Sequence, residues 1–199
     1  MPPPAPPVRE PLTRDAVVAA TRAMILDEGL DRVSLRRVAG ALGVTAPALY
    51  AYVTDKRDLL RGVAELAFGE LVERFEALPD ADPLARIRAQ SHVYIDFAHE
   101  QPELFRTMFL FPPELAVSAP IGEELPAATR AFEVPRRAID DAVAAGLLRD
   151  VDPVMAALAL WTATHGAAEV LRMGFGFDDE GRRQLVDTVI DTVIAGLRA

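Results

Sequence analysis

The 199-residue chain contains no cysteine, which excludes disulfide frameworks, thiolate metal sites and cysteine nucleophiles. Lysine is nearly as scarce, because Lys56 is the only one among twenty-one basic residues. Long charge-free runs are missing too. The longest in the apolar C-terminal half covers the sixteen residues 153–168 and includes Thr162, Thr164 and His165. A spanning helix needs ~20 predominantly apolar residues, so no membrane partner is expected. Six of the first eleven residues are proline and no apolar run follows a basic start. That is no secretory signal, and the cytoplasm is the expected location.

The net charge is −9, with 21 basic and 30 acidic residues, which taken whole argues against a nucleic-acid partner. The balance is uneven along the chain. Residues 1–61 carry nine basic and seven acidic side chains, whereas residues 62–199 carry twelve and twenty-three. The acidity belongs to the second part.

Hydrophobic residues make up 51% of the chain, enough for one well-buried core or two small modules. Behind the proline tail, Thr13 is placed to cap a helix burying Val17, Ala20, Thr21 and Met24, with Gly29 at its end. Further helical periods cover 34–42, 45–52 and 55–78, the last on Leu59, Val63, Leu66, Ala67 and Leu71. Pro79 and Pro83 bracket a break before helices at 83–100 and 101–111. Four prolines make 112–126 a loop, after which helices resume at 127–145, 152–173 and 178–197. No segment alternates with a period of two, so the expected fold is all-α with about nine helices.

Two of the short helices meet across a glycine turn. A steep crossing needs a small residue at the contact, a positive-φ residue in the turn and an aliphatic plug on the second helix. Ala39, Gly43 and Leu49 supply these, and Pro47 sits in the first turn of the second helix, where a missing N–H costs little. Thr45 is the expected cap of that helix. Its outward face presents Thr45, Ala46, Ala48, Tyr50 and Tyr52, with Lys56 and Arg57 beyond and Arg36 and Arg37 on the preceding helix. Small residues permit close approach to base edges, and the flanking hydroxyls and cations suit phosphates.

The run Val33, Ser34, Leu35, Arg36, Arg37, Val38, Ala39, then Gly43, Val44, Thr45, then Leu49, Tyr50, Tyr52, Lys56, Leu59 and Leu60 resembles the DNA-binding region of the TetR family over residues 13–60. It departs at Tyr52 and Val53, where the family more often has histidine and phenylalanine. The resemblance implies a tail (1–11), a helix-turn-helix DNA-binding domain (12–60) and a helical ligand-binding and dimerisation domain (61–199). It also implies a non-enzymatic transcriptional regulator without a cofactor. Such a protein is expected to be a repressor released from a palindromic double-stranded operator by a small apolar or amphipathic effector. Ser34, Arg36, Arg37, Thr45, Ala46, Ala48, Tyr50, Tyr52 and Lys56 are the expected DNA contacts.

The second part holds Tyr94 to Ala98, Pro102 to Phe109 and Leu160 to Gly166, which together resemble a regulatory-domain subgroup of that family named for its Trp, His and Gly. Its candidate effector contacts are Tyr94, Phe97, Phe105, Met108, Phe109, Trp161 and His165, and these aromatics either line a cavity or fill it. Val186, Val189, Ile190, Val193 and Leu197 form a stripe that, with helix 152–173, could pair two copies as a homodimer. The alternative is a helical metal-binding protein or enzyme using His92, Asp96 and His99, spaced i, i+4, i+7. Against it, no His-Glu-x-x-His pair is present, and the fingerprint begun by Gly174 and Gly176 fails at Asp179.

Overall fold

The computed structural model describes residues 11–111 and 125–198. The expected proline tail, but for its last residue, and all but the end of the expected 112–126 loop lie outside the described residues. Among these residues the chain forms nine α-helices, one short 3-10 turn and no strand. It divides into two compact units, one ending at Val63 and the other beginning at Ala64.

The first unit starts with α1 (Arg14–Glu28), where Thr13 Oγ1 accepts the Ala16 N–H at 3.1 Å. Val17, Val18, Thr21, Met24 and Ile25 form its buried face, and Ala20 is half-buried. Gly29 stops it at φ 88°, ψ 157°, a region open essentially to glycine alone. A 3-10 turn (Leu30–Arg32) leads to α2 (Leu35–Leu42), capped by Ser34 Oγ on the Arg37 N–H. Gly43 then takes the left-handed conformation, φ 67°, and the Val44 N–H bonds back to the Ala39 carbonyl at 3.0 Å. That closes the helix and turns the chain into α3 (Ala46–Leu49). Ala39 and Leu49 are fully buried, so the small contact, the glycine turn and the plug all occur as the spacing predicts.

The next helix, α4 (Lys56–Glu76), contributes residues to both units. In the first unit it approaches α1 closely at Gly62, where an added Cβ would lie 2.7 Å from Val18 Cγ2.

The second unit comprises the rest of α4 with α5 (Pro83–Glu100), α6 (Pro102–Met108), α7 (Pro126–Ala144), α8 (Pro153–Arg172) and α9 (Asp179–Leu197). Carboxylates of Asp82, Asp152 and Asp178 accept first-turn N–H groups of α5, α8 and α9. At α7 the N-cap is Leu125, which has no such oxygen, and Glu65 of α4 instead accepts the Ala127 N–H at 2.9 Å. Helix α5 packs on α7, α8 and α9, and α8 is flanked by α7 and α9.

Three expectations need correction. Leu66 is exposed rather than buried, since it leaves the arc that holds Val63, Ala67, Phe68 and Leu71. Val186 and Ile190 do not lie open for a partner, because with Ile194 they are buried in this chain's own core. Helix α8 is long and apolar enough to pass for a spanning helix by length and composition. Yet Ala156, Ala157, Leu160, Thr164, Ala167 and Ala168 are buried within the fold, and Met155, Ala159, Thr162 and Gly166 are left exposed along the other side.

Candidate functional site

In the first unit the exposed surface of the helix-turn-helix gathers most of the predicted DNA contacts. Arg36, Arg37, Thr45, Ala48 and Lys56 are exposed, and Tyr50 is 60% exposed. Their chemistry differs. Ser34 spends its oxygen on the α2 cap, whereas Thr45 stands at the N-cap of α3 with no side-chain cap bond. Proline at position 47 removes one N–H that Thr45 could have accepted, and the Ala48 N–H already bonds to the Thr45 carbonyl at 3.0 Å. The Thr45 hydroxyl is therefore left for an outside partner.

Arg37 is held by an ion pair with Glu28 and by the Arg32 carbonyl at 3.2 Å. Arg36 and Lys56 have no ion-pair partner among the described residues. Tyr52 lies beyond α3, which is shorter than the expected 45–52, and is half-buried in the following turn.

A guanidinium clamp fixes this turn. Arg14 of α1 donates to both oxygens of Asp58, at 2.6 and 3.1 Å, and to the Tyr52 carbonyl at 2.8 Å. Asp58 also accepts the Thr54 N–H at 2.9 Å. The Arg14 bond, helped by Thr54, outweighs burial and holds the Asp58 carboxyl down to about 2. Sequence periodicity gave no sign of this clamp.

In the second unit a cavity of about 60 Å³ opens among α4, α5, α7 and α8. Of the predicted effector residues, Tyr94, Phe109 and Trp161 line it. Phe97, Phe105 and Met108 are fully buried off its wall, Phe97 beneath the Arg74 guanidinium at 5.0 Å. His165 stands behind the wall, its ring 4.6 Å from that of Phe109 and 5.6 Å from that of Trp161, centroid to centroid.

The sequence reading missed Phe68, Leu71 and Phe75 from α4, Gln90 and Ser91 from α5, and Phe132 and Pro135 from α7. Polar residues on the buried side of α5 and a proline inside α7 were the available signals. A second cleft, of about 330 Å³, shares Phe75 and Gln90 with the first and adds Arg86, Val134 and Arg137.

Three polar groups run in series beside the cavity. The Trp161 indole N–H can only donate, and it lies 3.1 Å from the Tyr94 oxygen. Tyr94 therefore gives its own proton to His165 Nδ1, 2.8 Å away. Burial pushes the Tyr94 phenol well above its ordinary range and lowers the His165 imidazole, so both are neutral near pH 7.

The metal alternative has no site in this arrangement. His92 Nε2 sits 2.8 Å from Asp187 of α9 and Asp96 pairs with Arg182 at 3.6 Å, so the stripe joins α5 to α9. Among the described residues no group of three potential ligands is close enough to hold an ion.

A Tetracyclin repressor-like C-terminal domain profile matches residues 87–193, over half the chain, and the profile of bacterial regulatory proteins of the tetR family matches residues 17–63. The chain belongs to the TetR family. Among its relatives, the nucleoid occlusion factor SlmA of Vibrio campbellii is 29% identical over 98 residues, which are 48% of this chain and 50% of that protein. The chain spans about half the length of the curated relatives it matches first. The tetracycline repressor protein class C of Escherichia coli is 41% identical over 54 residues, 27% of this chain and 25% of the repressor. A protein of unknown function from Rhodococcus sp. RHA1 superposes with a TM-score of 0.79 at 25% identity, covering 97% of this chain and 99% of that one. The TetR fold therefore extends along nearly the whole chain.

Proposed function

We propose that this TetR-family chain is a transcription regulator of the cytoplasm, a repressor that binds a palindromic operator as a homodimer and leaves it when a small, mainly apolar effector fills the cavity. The observation that carries this reading is the exposed α2–α3 surface. An uncommitted Thr45 hydroxyl, the exposed Tyr50 and the unpaired cations Arg36 and Lys56 stand together in a chain whose net charge is −9. Thr45 and Ala48 would meet base edges, while Arg36, Tyr50 and Lys56 would hold phosphates.

Two copies would join through α8 and α9. Supporting this, Ala159, Thr162 and Gly166 form an exposed strip of small residues beside Met155, which is 58% exposed. Small side chains let two helices approach closely, and pairing would cover the apolar face that the single chain leaves in water. Helix α4 supplies both Lys56 and the cavity residues Phe68, Leu71 and Phe75, so it is the element through which effector and operator would act on each other. A coupling of ~1–3 kcal/mol, or about 5- to 150-fold in affinity, is enough for a switch.

The test is the salt dependence of binding to a duplex selected by the protein from random sequence. Lys56→Ala should weaken binding and lower the slope of log affinity against log salt by about one unit. Unchanged affinity and slope would remove Lys56, and with it this face, from the interface.

A further inference from the structure

The hydrogen-bonding character of the cavity wall is one-sided, and it specifies the chemistry of the effector; this inference rests on the reading of the cavity as the effector site. Ser91 donates its proton to the Ile87 carbonyl at 2.8 Å, and Thr164 donates to the Leu160 carbonyl at 3.0 Å. Each hydroxyl then has only lone pairs to offer. Tyr94 and Trp161 have committed their protons to His165 and Tyr94. Gln90 Oε1 is buried with no partner, although such an acceptor is costly to leave unmade. Pro135, inside α7, has no N–H for the carbonyl of Ala131 four residues back, and both residues line the cavity. The Gln90 amide nitrogen is the one uncommitted donor on the wall among the described residues.

We propose that the effector is an uncharged, mainly apolar molecule carrying a hydroxyl or N–H, and that it donates this hydrogen to Gln90 Oε1, with the Ala131 carbonyl as second acceptor. A carboxylate would bring more lone pairs to a wall already rich in them. The guanidinium groups nearby, Arg86 and Arg137, line the outer cleft and not this cavity, and Arg86 is engaged with Asp141 at 2.8 Å. The outer cleft shares Phe75 and Gln90 with the cavity, so a molecule too long for the inner space extends past Gln90 into it.

Trp161 is the only tryptophan in the chain and lines the cavity, so its emission reads occupancy directly. Three probes separate the chemistry: n-hexanol, its isomer methyl pentyl ether, which has no donor, and hexanoate, which is an anion. The alcohol should bind about fivefold or more tightly than the ether, with hexanoate weakest. Gln90→Leu should erase the preference for alcohol over ether while the ether still binds. Pro135→Ala restores an N–H to the Ala131 carbonyl and should reduce the preference part way.

Equal binding of alcohol and ether to the unmodified protein, or tightest binding of hexanoate, overturns the proposal. Trp161 emission unmoved by all three overturns it together with the cavity as a ligand site. Release of a selected DNA duplex, followed in parallel, distinguishes the two readings. A preference for the alcohol without any release upholds the donor chemistry and defeats the effector role, whereas equal release by all three upholds the effector role and defeats the donor chemistry.

Discussion

Asp58 shows how one carboxylate sets the shape of the DNA-binding unit. It joins the start of α4 to α1 through Arg14, while Arg14 also holds the Tyr52 carbonyl at the end of the recognition segment. The folded carboxyl titrates at about 2, against ~3.9 in an unfolded chain. Its stabilisation, ~2 kcal/mol on that shift, is therefore complete above about pH 4 and is lost as pH falls toward 2. Asp58→Asn should lower unfolding stability by ~1–3 kcal/mol at pH 7, and the loss should shrink progressively in acid. A urea midpoint indifferent to the substitution at pH 7 would contradict this. Neither Asp58 nor Gln90 was legible as a site residue. A carboxylate two positions past a lysine looks like a solvated helix start, and a glutamine within a helix carries no sign of whether its amide meets water or a cavity.

The elements were far more legible than the spaces between them. Prolines and capping residues fix the helix starts, as at Thr13, Ser34 and Asp152, because each supplies an oxygen to otherwise unpaired N–H groups. The Ala39, Gly43 and Leu49 spacing likewise predicted the helix-turn-helix, because each position tolerates few side chains. Periodicity on one helix says which side is buried but not what lies opposite. The cavity wall, drawn from Phe68 to Thr164 across four helices, was therefore only partly foreseen, with Phe97, Phe105 and Met108 going to the core instead. The same limit hid Gly62, whose role depends on Val18 of another helix. Gly62→Ala would press its methyl on a buried, branched side chain and should cost ~1–3 kcal/mol, read as a lower thermal midpoint. A variant as stable as the parent would mean that α1 and α4 have room to separate.

At the scale of the whole molecule the account requires two chains. Ala159 lies on the exposed side of α8, so Ala159→Arg leaves the fold of one chain intact while placing a charge where the partner helix would sit. Sedimentation should show a folded monomer with much weaker operator binding, and a variant that stays dimeric would move the interface elsewhere. The most direct test of the central claim is footprinting on duplexes that the protein selects from random sequence. Two protected half-sites related by two-fold symmetry, their centres one helical turn (about 34–36 Å) or a multiple of it apart, are the expected result. Selection of no common sequence, or protection of a single asymmetric site, would contradict a dimeric repressor built on α3.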